Sequence, residues 1–348
     1  MVAPRIAVLA AVVVLVLLGL DFIFTRYLIF AEEYSNQGKV KRLIENENPN
    51  EIPVFGASLA RSSFIPDSIS PHCYNYGMGK ALYDVSRIML DIECAKDKEA
   101  PIIFELNFRT FIRDPESTIN ASTFIPHLNH PVIRKAMIDS DLHSWHYEIP
   151  GLRYYGNYFN YGVGPLRRLF GDKADSRGAI LEDKAQSARD VEVYLERMDN
   201  ILKRRRSLLD KSKDQNRVFT PIDELTLDAI ESQLFFSADE EYVEEFEAFV
   251  RNNRHRKFIL VTVPINPLLK TYMLNFSAFT DFAKKLEASH ENIHYLDYSD
   301  LPTEMDYFKN PPHFGTKGAK YFMQFFSRDF RKITGIAQDG SKSLILEP

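Results

Sequence analysis

The chain is poor in cysteine, with two among 348 residues. That excludes a disulfide scaffold and any metal centre built on cysteines alone. Neither charge is in large excess: 43 basic and 48 acidic side chains leave a net charge of −5 and a pI near 6.0. Such a balance excludes a general nucleic-acid binder, whose surface would be strongly basic. Hydrophobic residues at 45% and charged ones at 26% exclude a mostly disordered chain. A chain of this size buries roughly 75% of its unfolded surface, so its core needs no staples. Length alone admits two domains or one enlarged α/β domain.

Long apolar runs are also scarce, and the exception is at the N-terminus. Residues 6–20 read IAVLAAVVVLVLLGL without a polar interruption, and Phe22, Ile23 and Phe24 extend the run past Asp21. A membrane-spanning helix needs about 20 mostly apolar residues. Residues 1–30 are therefore expected to form a retained anchor, with Asp21 and Arg26 near the headgroups. The rival reading, a cleaved signal, lacks a small-x-small cleavage site in LGLDFIFTRY. Arg5 and the terminal amine favour a cytoplasmic N-terminus, against Arg26, Lys39, Lys41 and Arg42 on the other flank. The first-helix rule then puts the remainder outside the cytoplasm, as a single-pass protein with an extracytoplasmic soluble domain.

Polar residues 31–50 read as a stalk, and residues 51–348 as one α/β domain. Short apolar runs at 52–55, 73–76, 101–106, 257–263 and 293–296 alternate with helical patterns at 82–95, 238–250, 276–288 and 317–333. Such alternation indicates a parallel sheet covered on both faces, with its site beyond the carboxyl ends of the strands. Between about 108 and 237 the alternation breaks, which reads as a mostly helical insertion. There is no internal repeat and no low-complexity tract.

Two places carry chemistry. The first strand runs into Gly56-Ala57-Ser58, a small-small-serine turn opening a helix. Free N–H groups at such a turn can stabilise an oxyanion, although serine is also a preferred helix N-cap. Near the C-terminus, His313 lies in a Pro/Gly-bounded loop just before the final helix, within Asp306-Tyr-Phe-Lys-Asn310-Pro-Pro-His313-Phe-Gly315. A histidine there can reach a serine at the end of the first strand, and the pairing is what signals chemistry.

These blocks resemble the SGNH hydrolase superfamily. Gly56-Ala57-Ser58, Asn75-Tyr76-Gly77-Met78-Gly79-Lys80, Glu105-Leu106-Asn107 and the loop from Phe308 to Ala319 stand in the family's order. The resemblance implies a flavodoxin-like three-layer parallel sheet carrying the helical insertion. It implies Ser58 as nucleophile, His313 as its general base, and an oxyanion hole of Ser58 N–H, Gly79 N–H and the Asn107 amide, with no cofactor and no metal. The family's Asp three residues before the histidine is Asn310 here. Asn310 can fix the imidazole tautomer without charge, and Asp306 is the candidate for supplying that charge.

The anchor, the insertion and Val263-Pro264-Ile265-Asn266-Pro267 look like the DltD-like proteins of cell-envelope acylation. That implies a serine O-acyltransferase or esterase acting on an envelope polymer or glycan beside a membrane-bound O-acyltransferase. The alternative is an inactive accessory protein that binds polymer or that partner enzyme through the same cleft.

Other features favour plainer readings. His127-x-x-His130 and His143-x-x-His146 have ligand-like spacing but no evident third ligand. Tyr154, Tyr155, Tyr158, Phe159 and Tyr161 suit packing of the insertion, with sugar stacking or a membrane interface as the sharper uses. Lys203-Arg204-Arg205-Arg206 reads as a solvated helix face. Cys73 and Cys94 are expected at the sheet's end opposite the site, either bridged or as two buried thiols.

Overall fold

The computed structural model describes residues 3–30, 33–113, 120–155, 177–179, 181–183, 185–214 and 218–336. Tyr158, Phe159 and Tyr161 of the aromatic segment lie outside these. The chain divides into two compact units, one of residues 1–47, 88–96 and 119–174, the other of residues 48–87, 97–118 and 175–348.

The second unit is built on a five-stranded, all-parallel sheet. Its strands are β1 (Ile52–Phe55), β2 (Cys73–Asn75), β3 (Ile102–Glu105), β4 (Phe258–Thr262) and β5 (Ile293–Asp297), in the order β2-β1-β3-β4-β5. β1, β3 and β4 are buried along their whole length, which explains their uninterrupted apolar runs. Alternate residues serve opposite faces. Ile52, Val54, Ile103, Ile259 and Val261 share a core with Phe64 and with Phe322, Phe326 and Phe330. The last three come from the helix Thr316–Thr334, whose buried residues recur at the three- and four-residue spacing of one helical face. Phe104 and Phe258 take the other face and meet Phe246 and Phe249 of the helix Glu240–Asn252, at ring centroid distances of 5.9 and 5.7 Å.

A two-stranded antiparallel ribbon, β6 (Phe308–Asn310) and β7 (His313–Phe314), precedes the last helix and pairs Asn310 with His313. In the sequence this segment reads only as a loop, because two- and three-residue strands carry no periodic signal. The helices Ala188–Lys213 and Pro221–Leu234 form a hairpin around Met198, Leu208, Ile230 and Leu234. Within the basic run of the first of them, Arg205 is tied to Glu231 at 2.9 Å, while Lys203, Arg204 and Arg206 are exposed.

The first unit contains the helix Ala3–Ile23, which continues as a π-helical turn, Phe24–Ile29. Residues Arg5–Tyr27 are long and apolar enough to cross a membrane. Asp21 is only 9% exposed; it accepts the Gly151 N–H at 3.0 Å and pairs with Arg153 at 3.0 Å. That pairing spares the apolar surface an isolated charge. Tyr154 Oη meets Thr25 Oγ1 at 2.6 Å, so this tyrosine is used in packing.

Two expectations need correction. The polar stretch 31–50 is not a bare stalk: it contains the helix Asn36–Glu45, capped by Ser35, with Val40 and Leu43 fully buried. Its many polar residues mask a narrow apolar stripe. The insertion is not one body, since the helices Ala121–Phe124 and Pro131–Asp139 belong to the first unit and the long hairpin to the second. Of the two forms expected for the cysteines, the unbridged one is found: Cys73 and Cys94 are both reduced, Cys94 is half-buried, and Cys73 is buried, which pushes its thiol well up from the usual range.

Gly318 fixes how closely the last helix approaches the histidine ribbon. A Cβ there would meet Tyr307 O at 2.3 Å and Phe314 Cδ1 at 2.5 Å. Gly318→Ala gains helix propensity but forces the ribbon away. It is expected to destabilise the fold by about 1–3 kcal/mol, measured by denaturant unfolding. A stabilised protein would show that the helix is free to shift.

Candidate active site

The serine turn follows from β1. Gly56 has a φ of +140°, a conformation that side chains rarely adopt. A Cβ at Gly56 would also come within 2.6 Å of Glu105 Cβ. Glycine therefore lets the chain turn directly over β3, after which Ala57 is extended and Ser58 begins the helix Ser58–Ser63. Being first in that helix, the Ser58 N–H has no intrahelical acceptor. The buried Asn75, at the end of β2, braces the helix: its amide donates to Ala60 O and Phe64 O at 2.9 and 3.0 Å.

The histidine side is equally constrained. Pro311 and Pro312 fill the turn between β6 and β7, and their fixed φ restricts it. Asn310 Oδ1 accepts the His313 backbone N–H at 3.2 Å and lies 2.8 Å from His313 Nδ1. A backbone N–H only donates, so the amide atom facing it is the oxygen. That oxygen only accepts, so Nδ1 carries the ring proton. Nε2 is left with its lone pair, and it lies 2.7 Å from Ser58 Oγ. Ser58 thus donates to His313, and His313 to Asn310.

The electrostatics keep the ring neutral. Burial, then the nearby charges of Lys309 and Arg61, lower the His313 pKa to about 4. The site's contribution to stability is therefore intact above about pH 6.5 and is lost as pH falls towards 4. Lys309 is itself held by Glu182 at 2.8 Å. Arg61 lies beside Gly79, with Nη2 3.9 Å from where a Gly79 Cβ would be.

Of the expected oxyanion donors, Asn107 follows β3. Its Oδ1 accepts the Arg109 N–H at 2.8 Å, which leaves Nδ2 as its donor end, 3.4 Å from the buried Glu105 Oε2. In the second block, Gly77 N–H goes to Asn75 Oδ1 and Met78 N–H to Gly56 O. Gly79 stays half-buried at the turn before Lys80, which has a φ of +62°. Asp306 is not where the expectation needed it: its carboxylate is exposed and paired with Lys317 at 2.5 Å. Seven residues before His313, it precedes β6, whereas Asn310 sits directly across the ribbon.

Sequence reasoning assigned no role to Glu105 beyond its place in the third block, and none to Arg61. Glu105 is fully buried, its Oε2 accepts the Ala57 N–H at 2.9 Å, and burial pushes its carboxyl up to about 7. The signal was present: an acid ending the apolar run PIIFEL, two residues from Asn107. Leu59, Asn107 and Pro312, neighbours of this constellation, also line a cavity of about 240 Å³.

The histidine pairs serve other ends. His127 Nε2 meets Gln37 O at 3.0 Å, and burial lowers its pKa to about 4. His143 pairs with Glu148 at 2.8 Å, and His146 with Ser144 at 2.7 Å. No group of three or more metal-type side chains clusters among the described residues.

Asn310→Asp places a carboxylate on Nδ1–H. An opposite charge at this range raises a pKa by about 1–3 units, so the His313 ring should titrate at least one unit higher than in the native protein. NMR titration of ring-labelled histidine reads this, and an unmoved pKa would contradict the Asn310–His313 contact. In comparisons with known proteins, no protein-family model matches this chain, and neither does any curated protein.

Proposed function

We propose that the chain is a membrane-anchored, extracytoplasmic serine acyltransferase or esterase of SGNH type. The observation that carries the reading is the directed chain of hydrogen bonds Ser58→His313→Asn310, at 2.7 and 2.8 Å. In the proposed reaction, Ser58 Oγ attacks an acyl carbonyl while its proton passes to His313 Nε2. The carbonyl oxygen becomes an oxyanion facing the Ser58 N–H, Gly79 N–H and Asn107 Nδ2. Collapse breaks the bond to the leaving alcohol, which takes the proton from His313, and leaves an ester on Ser58. An acceptor hydroxyl, or water, then gives its proton to His313 and attacks that ester; the acyl–Oγ bond breaks, and His313 returns the proton to Ser58 Oγ.

Further support comes from the strand order 2-1-3-4-5, a doubly wound order whose sites lie beyond the carboxyl ends of the strands. Ser58 follows β1 and Asn107 follows β3, as that rule requires. The apolar N-terminal helix would tether the chain to a membrane. On the DltD-like resemblance, the acyl acceptor is an envelope polymer or glycan and the partner a membrane-bound O-acyltransferase. One observation favours a second reading, a binding-only accessory: the third residue is Asn310, which cannot stabilise an imidazolium by charge. The low His313 pKa makes the same point, since proton transfer to the ring is uphill.

Ser58→Ala separates the two. In the enzyme reading, full-length protein loses hydrolysis of a p-nitrophenyl ester by at least ~10³-fold, because the nucleophile is absent. Unfolding should change by no more than the ~1 kcal/mol typical of one lost hydrogen bond, here that to His313. Equal activity in the variant and the native protein would remove Ser58 from the chemistry.

A further inference from the structure

The cavity lined by Leu59, next to Ser58, has two properties that a bound ligand would reconcile. Its walls are largely apolar, with Met198 from the long hairpin and Leu269, Tyr272 and Met273 from the segment after β4. Yet two lining residues each bury a polar atom with no hydrogen-bond partner, Glu105 Oε1 and Asn266 Nδ2. Glu105 is 0% and Asn266 1% exposed. Neither side chain is misplaced, because the other atom of each is committed. Glu105 Oε2 accepts the Ala57 N–H, and Asn266 Oδ1 accepts the Leu268 N–H at 3.0 Å. Each orphan is therefore aimed by a bond its own side chain makes.

Orphaned buried polar groups are rare, and desolvating them without a partner is costly. A plain hydrocarbon occupant would dry both and satisfy neither. A hydroxyl accepts from an amide N–H and donates to a carboxyl oxygen, so it suits both atoms. The volume of about 240 Å³ is many times the ~10–15 Å³ that one water molecule needs. An acetyl group would leave most of it empty, whereas a medium-length chain would occupy it.

We infer that this cavity receives the acyl group handled at Ser58, and that this group is a medium-length aliphatic chain bearing a hydroxyl. The word acyl rests on the serine reading above; the ligand class rests on the cavity alone. On this assignment the hairpin of the insertion supplies a wall that selects chain length, while Asn266 and Glu105 select the substituent. The Glu105 carboxyl, pushed up to about 7 by burial, can meet a hydroxyl either as donor or as acceptor.

The test is calorimetric binding to the full-length Ser58→Ala protein in lipid nanodiscs, with empty nanodiscs subtracted. The probes are acetate, octanoate, and octanoates hydroxylated at successive carbons. At least one hydroxyoctanoate should bind about tenfold tighter than octanoate, because buried polar groups reject the analogue that leaves them unpaired. Acetate should not saturate. Asn266→Ser in the same background keeps a capping oxygen but withdraws the amide, and should remove most of that advantage. No binding, or equal binding of octanoate and every hydroxyoctanoate, overturns the assignment. Labelling of the native protein by a small fluorophosphonate reports Ser58 separately. Labelling without hydroxyl preference defeats the cavity assignment alone; hydroxyl preference without labelling defeats the serine reading and leaves the ligand class standing.

Discussion

The 2.7 Å contact between Ser58 Oγ and His313 Nε2 joins positions 255 residues apart, and the rest of the site is arranged to keep it. It requires the end of β1 and the start of the last helix to lie on the same side of one sheet. It requires Gly56 to turn over Glu105 without a Cβ, and Gly318 to let the last helix press against the ribbon. It also requires the imidazole to present a lone pair, which the ribbon secures by placing Asn310 opposite His313.

Asn310 is best understood together with the charges around it. A carboxylate in its place would offset Lys309 and Arg61 and favour the imidazolium. With an amide there, burial and those two cations leave the ring neutral well below its ordinary pKa. The resting site is thus a base with its lone pair on the serine, held in one tautomer. In the proposed reaction the cost would fall on the protonated intermediate, which what binds would have to stabilise. A developing oxyanion near Gly79 and Arg61 would be one such charge, present only during that reaction. Behind the serine, Glu105 ties the turn to the Asn107 loop through a single carboxylate oxygen.

Much of this is legible in the amino-acid sequence. β1, β3 and β4 announce themselves because strands buried on both faces read as unbroken apolar runs, and Ser58 and Asn107 stand at the ends such strands would have. Asn310 can be paired with His313 by its three-residue spacing. Asp306 misleads because an acid near a histidine looks like its partner, whereas the chain geometry gives that place to the residue across the ribbon and leaves Asp306 to Lys317. The helix Asn36–Glu45 is hidden by composition: Val40 and Leu43 are few among charged neighbours, and only tertiary packing reveals their burial. Glu105 escapes notice because burial, not spacing, makes it unusual. Whether Cys73 and Cys94 bridge is a matter of helix register, which composition does not carry.

Trapping the covalent intermediate tests the account most directly. Full-length protein is mixed with an activated acyl ester, quenched in acid and weighed intact, then digested to locate the adduct. The account predicts one acyl group per chain, on the peptide that contains Ser58, and its disappearance in His313→Ala. An adduct elsewhere, or one on Ser58 that forms equally fast without His313, would contradict it.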